Sequence, residues 1–77
     1  MYTREDKLSQ RVLKAVTEAD APLETMEILE FLKGVTRTKV LYRLHNLRGE
    51  GLIKGKVVGS GKQAWIWWDA KLFENGK

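Results

Sequence analysis

One stretch restricts this chain more than any other: residues 36–53, TRTKVLYRLHNLRGEGLI. Val40, Leu44 and Leu47 recur at spacings of four and three, with Leu41 beside them, which is the apolar stripe of a helix. The opposite side carries Thr38, Lys39, Tyr42, His45 and Asn46, flanked by Arg37 and Arg43. A solvated helix face ordinarily mixes both signs of charge. This face has hydrogen-bonding groups, positive charge and one aromatic ring, and the first acid comes only at Glu50. Such a helix seats its leucines in a core and offers the other side to an anion with patterned edges. An ordinary amphipathic helix of a small domain accounts for the stripe but not for the one-signed face.

The distribution of charge supports that reading. The net charge is +4, from 14 basic and 10 acidic residues. Between Lys33 and Lys62 there are eight Lys or Arg residues and one acid, whereas the first 32 residues hold seven acids. Such asymmetry suggests a polyanionic partner, with chance imbalance as the alternative. A chain of 77 residues is one domain, with its core expected over about 3–69 and a tail at 70–77. The absence of cysteine rules out a disulfide scaffold, and 31% charged with 43% hydrophobic residues is globular rather than disordered composition. No run of about 18 apolar residues is present to cross a membrane. The first ten residues, MYTREDKLSQ, lack the apolar centre of a secretory signal, so a cytoplasmic protein is expected.

Taken in order, the chain first predicts a helix over about 4–19. Thr3 is its expected cap, Asp6 stands in the capping-box position, and Leu8, Val12, Leu13 and Val16 form its stripe. Glu5 and Asp6 early, with Arg11 and Lys14 later, suit the helix dipole. Asp20-Ala21-Pro22 breaks the helix. Leu23 and Glu24 are expected to add a very short strand to a later sheet. Thr25 is a second cap candidate, for a helix over about 25–33 with Ile28, Leu29 and Leu32 inward and Met26 and Phe31 filling its edges. Gly34 ends that helix, Val35 points inward, and Thr36 caps the third helix over about 37–48. Gly49 and Gly51 both suit a tight exit with positive backbone angles. Residues 52–58 then read as a strand, 59–62 as a glycine-rich tip, and 63–69 as the return strand. Alternation puts Ala64, Ile66 and Trp68 on one face and Trp65 and Trp67 on the other. Ile66 is the expected core plug, which leaves a tryptophan set partly open. Residues 70–73 predict a last helical turn, anchored by Leu72 and Phe73.

Three stretches carry a resemblance: TMEILEFL, then GVTRTKVLYRLHNLRGEGLIKG, then the glycine-tipped basic hairpin ending WIWW. From about Leu8 to Trp68 the chain resembles winged helix-turn-helix DNA-binding domains, and is similar to small bacterial and archaeal transcriptional regulators of that kind. The resemblance implies an α+β fold of three helices with a two- to three-stranded antiparallel wing. It implies a transcriptional regulator that places a recognition helix, about 36–48, in the major groove and the wing, 54–63, on the backbone. The expected partner is double-stranded DNA, bound by a homodimer, because paired half-sites add to the limited surface of one module. No cofactor, metal, membrane or small-molecule substrate is expected.

The candidate contacts follow from the chemistry of base edges. Arg37, Thr38 and Lys39, after Thr36 at the start of the third helix, are placed to reach into the groove, where Arg bridges guanine edges and Thr meets bases or a thymine methyl. Tyr42 and Asn46 lie one and two turns on, and Arg43 at the flank suits a phosphate. Lys54, Lys56 and Lys62 suit phosphates or an adjacent minor groove; equally, lysines protect an edge strand from unwanted pairing. His45 is expected to be simply solvated, and a lone histidine is no metal site. Gly59-Ser60-Gly61-Lys62 fails as a phosphate loop, since Lys56 stands at the required first glycine and Gln63 where Ser or Thr belongs. With one histidine and no cysteine, no catalytic set is visible, and the chain is not expected to be an enzyme.

Trp65, Trp67 and Trp68 are open to three readings: sheet and core packing, a dimer interface with Leu72 and Phe73, or nucleic-acid contact beside Tyr42. For the last, KVLYRL with Tyr42 and AWIW with Trp65 look like the Z-DNA-binding winged helices of the RNA-editing adenosine deaminases. In that family a helix tyrosine and a wing tryptophan stack beside a zigzag backbone. Thr38 stands where that family has asparagine, and the wing lacks its prolines. The remaining alternative is a winged helix used for protein association, docked through the tryptophan hairpin.

Overall fold

The computed structural model describes residues 6–61 and 64–73. Its elements run α1 (Lys7–Thr17), β1 (Leu23–Glu24), α2 (Thr25–Leu32), α3 (Arg37–Gly49), β2 (Ile53–Val58) and β3 (Ala64–Asp69). The three strands form one antiparallel sheet in the order β1-β3-β2. This is the α+β arrangement of a winged helix, with a three-stranded sheet because the short strand at Leu23–Glu24 does join it.

The helices end where backbone chemistry stops them. Asp6, not Thr3, caps α1: its carboxylate accepts from the Ser9 backbone N–H at 3.2 Å. The helix therefore starts later than expected and holds no acid in its first turn. Thr3, Arg4 and Glu5 lie outside the described residues. Thr25 is the first residue of α2 rather than its cap; Glu24 takes the capping position, and its N–H donates to Glu27 Oε1 at 2.8 Å. Lys33 and Gly34 both take positive φ, 46° and 77°, and turn the chain from α2 into α3. Thr36 caps α3 as expected, accepting from Lys39 N–H at 3.3 Å.

The exit of α3 is a paired hydrogen-bond closure. Leu52 N–H donates to the Leu47 carbonyl at 3.1 Å and Gly51 N–H to that of Arg48 at 3.0 Å. Both close orphan carbonyls, and the closure needs the left-handed φ of 82° at Gly51. Gly49 instead belongs to the helix, so only one of the two glycines carries the turn.

The core gathers Val12 and Val16 from α1, Ile28 and Leu32 from α2, Val40, Leu44 and Leu47 from α3, and Ile53 and Trp67 from the sheet. The expected core plug is thus reversed: Trp67 is fully buried and Ile66 only half-buried. Two residues make room for the larger ring. Thr25 Oγ1 accepts from the indole Nε1 at 2.9 Å, so its polar edge is buried with a partner. Gly55 pairs with Trp67 across the strands, and a Cβ there would lie 2.5 Å from the ring. Met26 and Phe31 do not fill the edges of α2; they are 55% and 67% exposed.

Candidate nucleic-acid interface

α3 has a sharply divided surface. Val40, Leu44 and Leu47 are fully buried, while Arg37, Thr38, Lys39 and Tyr42 are exposed. Spacing causes this: the buried three follow the helical repeat, so positions between them turn outward. The Thr36 side-chain oxygen already accepts from Lys39 N–H, which gives Thr36 a structural task at the mouth of the face. Asn46 is half-buried on the same helix.

Arg43 departs from the sequence expectation. Its Nε donates to Asp6 Oδ2 at 2.9 Å, and both side chains are largely covered, at 19% and 24% exposure. Its guanidinium also lies over the Tyr42 ring, 5.5 Å from the centroid. Placed as a phosphate contact from sequence, Arg43 is a clamp between α3 and the start of α1. The Arg43 hydrogen bond, followed by those from Ser9, outweighs partial desolvation and holds the Asp6 carboxyl below its ordinary value of 3.8.

The wing lysines divide as well. Strand alternation puts Lys54 and Lys56 on the face opposite Trp65 and Trp67, with Ile66 and Trp68 as cross-strand neighbours. Lys54 pairs with Trp68 at the base of the hairpin, not near its tip. Both lysines are exposed, but on the far side of the sheet from the α3 contact. Lys62 and Gln63 lie outside the described residues.

What joins the wing to α3 is an aromatic and cationic cluster. The Trp65 and Trp67 rings stack at 5.0 Å and 15°. The His45 ring stands edge-on to both, at 5.0 Å and 5.1 Å. Arg48 lies over Trp65, 5.4 Å from its centroid. His45 is exposed, as a solvated side chain would be, but its ring also packs edge-on against both indoles, and the exposed Arg48 keeps its guanidinium over Trp65. Val57, opposite Trp65 in the register, is 42% exposed and extends the same surface. Sequence reasoning left Arg48 out of the candidate site and kept Trp65 as one of three open readings. The signal for Arg48 was present, three residues after His45 on the same stripe; that for Trp65 depends on strand register, which sequence does not specify.

The surface so assembled runs from Arg37, Thr38 and Lys39 past Tyr42 to the His45–Trp65–Arg48 cluster. It has cations for phosphate, hydroxyl and amine groups for base edges, and two rings at its wing end. Among the described residues no cluster of His, Asp or Glu side chains could hold a metal ion. No helix of the described residues is long and apolar enough to cross a membrane. No protein-family model, curated protein or solved structure matches the chain.

Proposed function

We propose that this chain binds double-stranded DNA, with α3 in the major groove, and acts as a transcriptional regulator without catalytic activity or cofactor. One observation carries the reading: Arg37, Thr38, Lys39 and Tyr42 stand exposed on the side of α3 opposite three fully buried residues. The helix is thereby fixed to the body by one side and exposed on the other. Arg37, Thr38 and Lys39 read base edges; Arg48, with its guanidinium over Trp65, takes a phosphate in the role that sequence assigned to Arg43. The wing adds Trp65 and Val57 beside the helix, and its lysines raise the local positive potential.

The test is binding of labelled duplex DNA by fluorescence anisotropy over a range of salt concentrations. The affinity should fall as salt rises, with a log–log slope of about −0.9 for each phosphate neutralised. A flat response sinks the reading. Selection of bound sequences from random duplexes at two salt concentrations then gives the operator.

Trp65, half-buried at the wing end of the same surface, supports a second target shape, the left-handed duplex. A duplex locked in that form is the discriminating probe. Preference for it over a right-handed duplex of equal length, lost in Tyr42→Ala and Trp65→Ala, selects the second reading.

A further inference from the structure

Five large apolar side chains of the described residues are strongly exposed: Met26, Phe31, Tyr42, Val57 and Phe73. Tyr42 and Val57 belong to the α3 surface, and Phe73 meets the edge of Trp68 at 6.1 Å. Phe31 is the most exposed of the five, at 67%, and it forms one wall of a groove of about 480 Å³. The opposite wall is Arg11, Lys14 and Ala15 of α1, continued by Glu18 at its C-cap and Ala19 just beyond. Arg11 closes one end, where its guanidinium donates to the Leu32 carbonyl at 2.7 Å and satisfies the open terminus of α2.

We infer that this groove is the contact between two copies of the chain, laid antiparallel across their α1 helices. Ala15 and Ala19 leave space along this wall, and the exposed Phe31 is the side chain of matching apolar character. Charge selects the occupant. Lys14 and Glu18 are four residues apart and highly exposed, at 72% and 67%, and at 4.0 Å they form only a loose pair between the last turn of α1 and its C-cap. A two-fold axis between them places Lys14 of one protomer opposite Glu18 of its partner, and Glu18 opposite Lys14. The patch is thus its own electrostatic complement, as an isologous interface requires. Phe31 of each protomer then enters the groove of the other, an aromatic anchor within a polar rim.

This interface uses α1 and α2 alone, so it stands or falls separately from DNA binding. The experiment is sedimentation equilibrium of the full chain over a wide concentration range. The wild type should show a monomer–dimer equilibrium. Phe31→Glu should weaken it by roughly tenfold or more. Lys14→Glu and Glu18→Lys should each weaken it, because each puts like charges across the axis twice. The double variant Lys14→Glu/Glu18→Lys should restore it. A wild type that stays monomeric, a dimer indifferent to Phe31→Glu, or a double variant no better than the singles overturns the proposal. Thermal melting of each variant at monomeric dilution checks that these exposed positions leave the fold intact.

Discussion

The two ends of α3 are held in opposite ways. At its C-terminal end, the His45 ring meets Trp65 and Trp67 edge-on, Arg48 lies over Trp65, and the Gly51 and Leu52 N–H groups close the helix with one hydrogen bond each. At its N-terminal end, Arg37, Thr38 and Lys39 are exposed, the Thr36 oxygen caps the first turn, and Val40 seats that turn in the core. A reading surface benefits from this division. Rigid anchoring at one end lowers the cost of ordering side chains on binding, while the bare end keeps its donors unspent. The residues at the anchored end should therefore govern stability, and those at the bare end should govern affinity.

The strongest way to break the comparison is to remove its anchor. Trp67→Ala should destabilise the domain by about 3–5 kcal/mol, as expected for an aromatic side chain lost from a packed interior. That is a large share of the total for a domain of this size, so unfolding at room temperature is the expected result of a denaturant titration. The anchor is also attacked from the other strand. Gly55→Ala places a Cβ 2.5 Å from the Trp67 ring, and the indole is fixed by Thr25, so it has no room to retreat. Overpacking of this kind should cost about 1–3 kcal/mol, seen as a lower denaturation midpoint. If Gly55→Ala melts like the wild type, the wing is not held as described.

Much of this arrangement was legible in the sequence, and the parts that were not have a common cause. The buried face of α3 follows from Val40, Leu44 and Leu47, and Leu23–Glu24 joining the sheet follows from its place between a proline and a cap. Helical periodicity is local, so it can be read from neighbouring residues. The strands resisted because alternation gives two faces but not which one is inward: choosing Trp67 over Ile66 required knowing that Thr25 lies 42 positions away in sequence and beside it in space. The engagement of Arg43 was hidden for the same reason, since its partner Asp6 comes from the far side of the chain, 37 residues earlier. The candidate cationic face was legible as a set of residues, but not the division between those bare to solvent and those already engaged.

The bare end gives the next prediction. Arg37→Ala should leave stability within about 0.5 kcal/mol of wild type, because it is exposed and makes no core contact. Against its preferred duplex it should cost about 1–3 kcal/mol in binding if it meets a base, and should relax preference at one position. Lys39→Ala, which also removes a base contact, should likewise cost about 1–3 kcal/mol and relax preference at a neighbouring position. Paired measurements of melting and anisotropy on the same samples check both halves. An Arg37→Ala variant that loses stability but keeps its affinity would reverse the roles of the two ends.

The smallest expected effect concerns the clamp between α3 and α1. The Asp6 carboxyl is held below its ordinary value, chiefly by the hydrogen bond from Arg43. A carboxyl with a depressed value in the folded state favours folding above the unfolded value, and that contribution is lost as pH falls through the folded one. The window is therefore acidic, from the ordinary carboxylate range downward. Asp6→Asn separates this from helix capping, because Asn caps a helix about as well as Asp but carries no charge for Arg43. The variant should be less stable than wild type near neutrality, and the gap should close on acidification as wild-type Asp6 takes up its proton. The remaining carboxylates are common to both proteins and cancel in the difference. Denaturant midpoints of the pair at several pH values are the check. A gap that stays constant down to strongly acidic pH would mean that the Asp6 charge does not hold α3 to the start of α1, and that the middle of the helix is as free as its reading end.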